Sequence, residues 1–194
     1  GCTATIVYQM YQENRVEIEP WIAGLLCSAI ISDTLLFRSP TCTPMDQAAA
    51  LNLAQIAGID AEEFAKEMFE AGSKLKGKTD SEIFYQDFKR FTAGKLTFGV
   101  GQITSLNAEE LEKLRERLLK YIGEARQEQK VDMMFFMMTN ILEQSTDLIC
   151  DGQGAEQLAA AAFHLREAAN VVKLPGVVSR KKQLIPGLMI ATEQ

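Results

Sequence analysis

Val131-Asp132-Met133-Met134-Phe135-Phe136-Met137-Met138 is a run of apolar side chains interrupted only by Asp132. It has no polar alternation, so it reads as a strand buried on both faces, the centre of a sheet covered on each side. Its methionines and phenylalanines are therefore read as core. Thr146 to Cys150 reads as the neighbouring strand. Upstream, Leu96, Phe98 and Val100 alternate with smaller or polar residues, as a strand does. Between these strands, Asn107 and Glu110 cap a long helix. Its Leu111, Leu114, Leu118, Ile122 and Ala125 recur at spacings of three and four, a stripe that faces a core. Downstream, Gly152-Gln153-Gly154 turns into another helix running to about Glu167. Val171-Val172 and Gly176-Val177-Val178 look like short strands around Pro175. The pattern predicts an α/β module over residues 80–194.

Residues 1–72 read as helices only. Ile6, Val7, Met10 and Tyr11 share one helical face, and Asn14 stops that pattern. Pro20 suits the first turn of a second helix, where its missing N–H would be unpaired anyway. Trp21 to Ile31 is apolar nearly all round, so this helix should be buried. Thr43-Pro44-Met45-Asp46 is a capping sequence for a third helix, which Gly58 ends. Asp60-Ala61-Glu62-Glu63 repeats the capping logic for a fourth, which Gly72 ends. Ser73 to Thr79, basic and containing Gly77, is the expected linker. Residues 1–72 hold three basic and ten acidic side chains, net −7, whereas the remainder is net +1. That asymmetry also argues for two modules. A helix apolar on all sides needs cover on all sides, and residues 1–72 hold no sheet to supply it. Together with Gly1 in place of methionine, this reads as a piece of a longer chain.

The bulk numbers exclude several classes. The net charge of −6 over 194 residues gives no nucleic-acid surface. The longest uncharged apolar run, Pro20 to Ser32, falls short of the roughly 20 residues a membrane span needs. No signal peptide is evident. Cys2, Cys27, Cys42 and Cys150 have no CxxC spacing and read as reduced thiols of a cytoplasmic protein.

Ser179-Arg180-Lys181-Lys182 places three cations in a row. In a strand, Arg180 and Lys182 would face one way and Lys181 the other. In a loop, all three could converge on one anion. On composition alone a solvated basic turn is the plainer reading, with phosphate binding beside it. No GxxxxGK[ST] loop is present. Asp33, near the end of the apolar second helix, sits at the wrong pole of the helix dipole and needs a cation, a metal or water; by itself a cap or turn residue is the plainer reading. Lys74, Lys76 and Lys78 read as solvated linker charge. His164 is the only histidine and reads as a helix-surface residue, which disfavours Ser-His-Asp and Cys-His hydrolases.

Four segments, in this order, carry a resemblance. They are Gly1-Cys2-Thr3-Ala4-Thr5-Ile6, Ser28-Ala29-Ile30-Ile31-Ser32-Asp33-Thr34-Leu35-Leu36-Phe37, Ser39-Pro40-Thr41-Cys42-Thr43 and Gly176-Val177-Val178-Ser179-Arg180-Lys181-Lys182-Gln183. They resemble the manganese-dependent (family II) inorganic pyrophosphatases of the DHH phosphoesterase superfamily. The resemblance implies the helical C-terminal part of a DHH domain over residues 1–72, a linker over 73–79 and a mixed-sheet α/β DHHA2 substrate-binding domain over 80–194. It implies Asp33 as a ligand of paired Mn²⁺ ions, with Co²⁺ or Mg²⁺ as substitutes. It also implies Lys89, within Asp87-Phe88-Lys89-Arg90-Phe91, and Arg180 and Lys181 as catalytic, substrate-binding cations.

The DHH motif and the other metal ligands would precede Gly1, so this chain is expected to be inactive alone. The complete enzyme would hydrolyse pyrophosphate with a metal-activated water in a cleft between its domains, as a cytoplasmic homodimer without nucleic-acid or membrane partners. Some relatives carry a CBS regulatory insert. The alternative is a non-catalytic phosphate- or nucleotide-binding or regulatory module of a larger protein.

Overall fold

The computed structural model describes residues 1–72, 75 and 77–193. Ser73, Lys74 and Lys76 of the expected linker lie outside the described residues. The chain divides into two compact units, Gly1–Gly72 and Ser73–Gln194.

Among the described residues the first unit is built from α1 (Thr3–Glu13), α2 (Pro20–Thr34), α3 (Pro44–Ala57) and α4 (Ala61–Gly72). The helix ends follow local chemistry. The Asp46 N–H donates to Thr43 Oγ1 at 3.2 Å and the Thr43 N–H donates to Asp46 Oδ2 at 2.8 Å, closing the capping box of α3. Gly58 ends that helix at φ 70°. Asp60 accepts from the N–H groups of Glu62 and Glu63, each at 2.9 Å.

Asp46 also reaches across the unit. Its fully buried carboxylate accepts from the Cys2 N–H at 3.0 Å and the Thr5 hydroxyl at 2.6 Å, tying the start of α1 to the start of α3. Burial pushes its pKa up, but the hydrogen bonds from Thr5, Cys2 and Thr43 outweigh that and hold the carboxyl well below the usual range.

This tie sets the orientation of α1. Ala4 and Thr5 face the core, while Ile6 and Met10 are more than half exposed. The second helix is covered on one side only. Ala23, Cys27, Ile30 and Ile31 are buried, but Trp21 and Leu25 are 66% and 64% exposed. The expectation that this helix is buried all round therefore holds for one face within this unit.

In the second unit, β1 (Phe88–Ala93), β2 (Leu96–Ser105), β3 (Met133–Asn140), β4 (Ser145–Asp151) and β5 (Val171–Pro175) lie in that order across one sheet. β2 and β3 are parallel; the other neighbours are antiparallel. The parallel pair is joined by the crossover helix α6 (Ala108–Gln129), capped by Asn107. Every residue of β3 is buried. On one face α5 (Asp80–Tyr85) and α6 pack Ile83, Phe84, Leu114 and Leu118 against Met134 and Phe136. On the other, α7 (Ala155–Ala162) and α8 (Ile185–Ala191) cover Phe98, Val100, Phe135, Met137 and Leu148. The α/β class is as expected.

Three details differ from the sequence reading. Phe88–Ala93 is an edge strand that the sequence did not announce. Val177 and Val178 are not a strand: Gly176 turns the chain away from β5 at φ 75°. The helix after Gly154 stops at Ala162, well before Glu167, so His164 lies beyond it. The His164 N–H bonds to Ala161 O and the Leu165 N–H to Ala160 O, the Schellman pattern, with His164 at φ 53° where glycine is usual. His164 is exposed, as expected, but not on a helix.

Gly101 packs where no side chain fits. A Cβ there would lie 2.6 Å from the Phe136 ring and 3.0 Å from the Phe84 carbonyl oxygen. Gly101→Ala is expected to destabilise the second unit by about 1–3 kcal/mol through overpacking. Urea unfolding should show a lower midpoint at unchanged slope.

Candidate functional site

Lys89 is the second residue of β1 and pairs with Val100 of β2. Two positions on, Phe91 pairs with Phe98, and their rings stack at 5.7 Å between centroids. Val100 and Phe98 belong to the core under α7 and α8, so alternation places Lys89 on that side of the sheet. Lys89 lies at the sheet edge and is exposed.

The basic segment reaches the same face from the other end of the unit. It is neither a strand nor a free loop, as the two sequence readings had it. Arg180–Leu184 forms one wide helical turn, closed by the Leu184 N–H on Ser179 O at 3.1 Å. The side-chain amide of Gln183 braces the turn. Its Oε1 accepts from the N–H groups of Val178 and Ser179 at 2.9 and 3.0 Å, and its Nε2 donates to Gly176 O at 2.7 Å. Beneath it, the Thr146 hydroxyl donates to Val177 O at 2.6 Å. That spends the Thr146 proton, so Thr139, 2.8 Å away, donates to Thr146. Both threonines are buried, which makes these bonds hard to exchange with water.

The turn separates its cations. Lys181 and Lys182 point to solvent, whereas Arg180 is only 7% exposed. Arg180 Nη1 donates to Asp87 O at 2.7 Å and Val100 O at 3.1 Å, and Nη2 donates to Asp87 Oδ1 at 2.6 Å. Val100 is the register partner of Lys89, so Lys89 and the Arg180 guanidinium share Val100 as a neighbour. With Nη1 committed to two carbonyls, Nε and the outer Nη2 hydrogen remain. They form the side-on edge of the guanidinium, which matches two oxygens of a carboxylate or phosphate. Among the described residues nothing else accepts from that edge.

Asp33 belongs to the first unit. It is exposed on the last turn of α2. After Thr34, the residues Leu35, Leu36 and Phe37 all have positive φ, 49°, 49° and 66°. One left-handed residue is ordinary at a helix end, but three bulky ones in succession cost roughly 1–2 kcal/mol each. Thr34 holds the turn: its hydroxyl donates to Ile30 O at 2.7 Å and accepts from the Phe37 N–H at 3.2 Å. Concentrated backbone strain of this kind is common at functional sites. The Asp33 carboxylate is a hard oxygen donor suited to Mn²⁺. Among the described residues, however, no group of three or more His, Cys, Asp or Glu could hold a metal ion. Asp33 therefore fits as one ligand and not as a centre.

Asp87, Gln102 and Gln183 were not singled out from the sequence. The available signal was a carboxylate two residues before Lys89 and an amide closing the basic run. The four cysteines are free thiols. Burial pushes the Cys150 pKa up to about 12, which makes that thiol unreactive. No described helix is long and apolar enough to cross a membrane.

Residues 66–191 match the DHHA2 domain family. Similarity to curated proteins extends along the whole chain. It is 44% identical over 188 residues to the manganese-dependent inorganic pyrophosphatase of Bacillus subtilis, covering 97% of this chain and 60% of that protein. It is 43% identical over 188 residues to the cobalt-dependent inorganic pyrophosphatase of Clostridium perfringens, covering 97% of this chain and 34% of that protein. A crystal structure from Methanococcus jannaschii, assigned to family II inorganic pyrophosphatases, superposes with a TM-score of 0.84 at 35% identity. It covers 99% of this chain and 65% of that one. The chain thus spans less than two thirds of the length of these relatives.

Proposed function

The chain belongs to the DHHA2 domain family, and from that premise we propose that it is the phosphate-binding portion of a metal-dependent inorganic pyrophosphatase. The complete protein would hydrolyse pyrophosphate to two phosphates. The observation that carries the reading is that Lys89 and the Arg180 guanidinium share Val100 as a neighbour, with Nε and one Nη2 hydrogen left for an oxyanion.

Pyrophosphate hydrolysis builds negative charge on the phosphoryl oxygens and the departing phosphate. Arg180 would hold two oxygens through its side-on edge, while Lys89 and Lys181 add point charges. Because Gln183, Thr146 and Asp87 already fix the Arg180 turn, little reorganisation would accompany substrate binding. Asp33 would be this chain's ligand to divalent metal, Mn²⁺ by preference and Co²⁺ or Mg²⁺ as substitutes. Such ions, when bound, supply a water of lowered pKa. The remaining ligands would come from outside these residues, so the chain alone would show little turnover. The reading carries with it a short linker over 73–79 and a cytoplasmic homodimer that binds pyrophosphate and neither nucleic acid nor membrane.

Phosphate release from pyrophosphate with Mn²⁺ tests it, first with this chain alone and then with the N-terminal portion of the Bacillus subtilis relative joined to it. Turnover is expected only in the second case. Turnover in neither would favour a non-catalytic phosphate- or nucleotide-binding module. Lys181→Ala should lower kcat/KM of the joined enzyme roughly 10- to 100-fold. Because Lys181 is exposed, Tm should not move; unchanged kcat/KM would remove it from the site.

A further inference from the structure

Asp87 lies just ahead of β1, and both its side chain and its carbonyl are in use. Oδ1 accepts from Arg180 Nη2 at 2.6 Å and Oδ2 from Gln102 Nε2 at 2.6 Å. The Asp87 carbonyl oxygen accepts from Arg180 Nη1 at 2.7 Å and from the Gln102 N–H at 3.2 Å. We propose that Asp87 is a positioning residue that sets which edge of the Arg180 guanidinium faces an incoming phosphate, an inference that rests on the phosphate-binding role given to Arg180 above.

A buried guanidinium needs an anion, and any nearby carboxylate would supply the charge. Asp87 supplies orientation as well. Gln102 grips its second oxygen from the neighbouring strand, which fixes the carboxylate plane. The two carbonyls and the carboxylate then engage Nη1 twice and Nη2 once, so Nε and the second Nη2 hydrogen are the donors left over. Lys89 follows Asp87 by two residues on β1, so one segment sets the place of both cations. The ion pair bridges 93 residues of sequence and fastens the basic turn to the edge of the sheet. Although Arg180 is buried, the Asp87 side chain is 43% exposed, which puts this contact at the surface where a ligand arrives.

Electrostatics and positioning predict opposite signs. Removing a negative charge beside a cation site would by Coulomb's law tighten the binding of an anion. If Asp87 instead orients Arg180, its removal weakens binding. Asp87→Asn separates charge from geometry. The asparagine oxygen can still accept from Nη2, and the Gln102 amide can flip to accept from the new NH₂.

The test uses the 194-residue chain, with pyrophosphate as the probe. Calorimetry at fixed ionic strength should show Asp87→Ala binding about tenfold more weakly, with Asp87→Asn recovering most of the loss. Equal or tighter binding by Asp87→Ala overturns the proposal. A second arm needs no ligand. Nitrogen NMR of the arginine side chains, with Arg180→Lys for assignment, should show resolved Arg180 Nη signals in the parent and in Asp87→Asn, averaged together in Asp87→Ala. Should the parent bind no pyrophosphate, the phosphate-binding reading fails, and identical Arg180 spectra in parent and Asp87→Ala would separately overturn the positioning role. If Asp87→Ala does not fold, Gln102→Leu decides. It keeps the charge, frees one carboxylate oxygen, and should weaken binding and broaden the same signals; no change in either overturns the proposal.

Discussion

Arg180→Ala in the complete enzyme should lower pyrophosphate turnover roughly 100- to 1000-fold, the usual cost of deleting a preorganised donor to a developing oxyanion. Stability should fall as well. Substitution strips hydrogen bonds from the carbonyls of Asp87 and Val100 and leaves the Asp87 carboxylate without its cation. Together these cost about 2–4 kcal/mol, moderated because water can reach Asp87. The family resemblance implied for Arg180 a role in turnover only; its burial adds the structural role. Arg180→Lys tests the split. Lysine keeps the charge but lacks the planar fork, so kcat should fall almost as far as in the alanine variant. Steady-state kinetics well below Tm, with circular dichroism to confirm folding, check both. Turnover within twofold of the parent for Arg180→Lys would leave Arg180 as a point charge.

Asp46→Ala should be the most damaging single change in the first unit, costing about 3–5 kcal/mol. It would strand buried donors on Cys2 and Thr5, remove the partner of the exposed Thr43 N–H, and open a void between α1 and α3. The same carboxylate gives this unit an acid limit. Its folded pKa is depressed, so its contribution is fully present above the unfolded value near 3.9 and is lost as pH falls below that toward the folded value. Acid titration followed by far-ultraviolet dichroism should show helix loss in this range. Asp46→Asn should flatten the pH dependence while starting from lower stability. A parent and an asparagine variant with the same acid profile would dismiss Asp46 as the source.

What the sequence made legible was what neighbouring residues decide. The both-face burial of β3, the stripe on α6 and the Thr43–Asp46 capping box all depend on spacings of a few residues. The Arg180–Asp87 pair spans 93 residues and the Asp46–Cys2 bond spans 44, so topology and not spacing brings them together. Edge strand β1 escaped notice because Lys89 and Arg90 stand side by side and break its alternation. The end of α7 escaped notice because histidine, and not glycine, takes the left-handed position. For the site, the kinds of residue were readable and their orientations were not. Composition names Arg180 as a cation, but only the folded turn shows that it is inside while Lys181 is outside.

The bare side of α2 carries Trp21, the chain's single tryptophan. All indole fluorescence therefore comes from that one surface. In this chain the emission should be red-shifted and readily quenched by acrylamide. Whatever comes to lie over the helix, through Trp21 and Leu25, would turn it blue and shield it. An optical reporter of assembly is thus already present, with no label added and at a distance in sequence from the phosphate-binding cations.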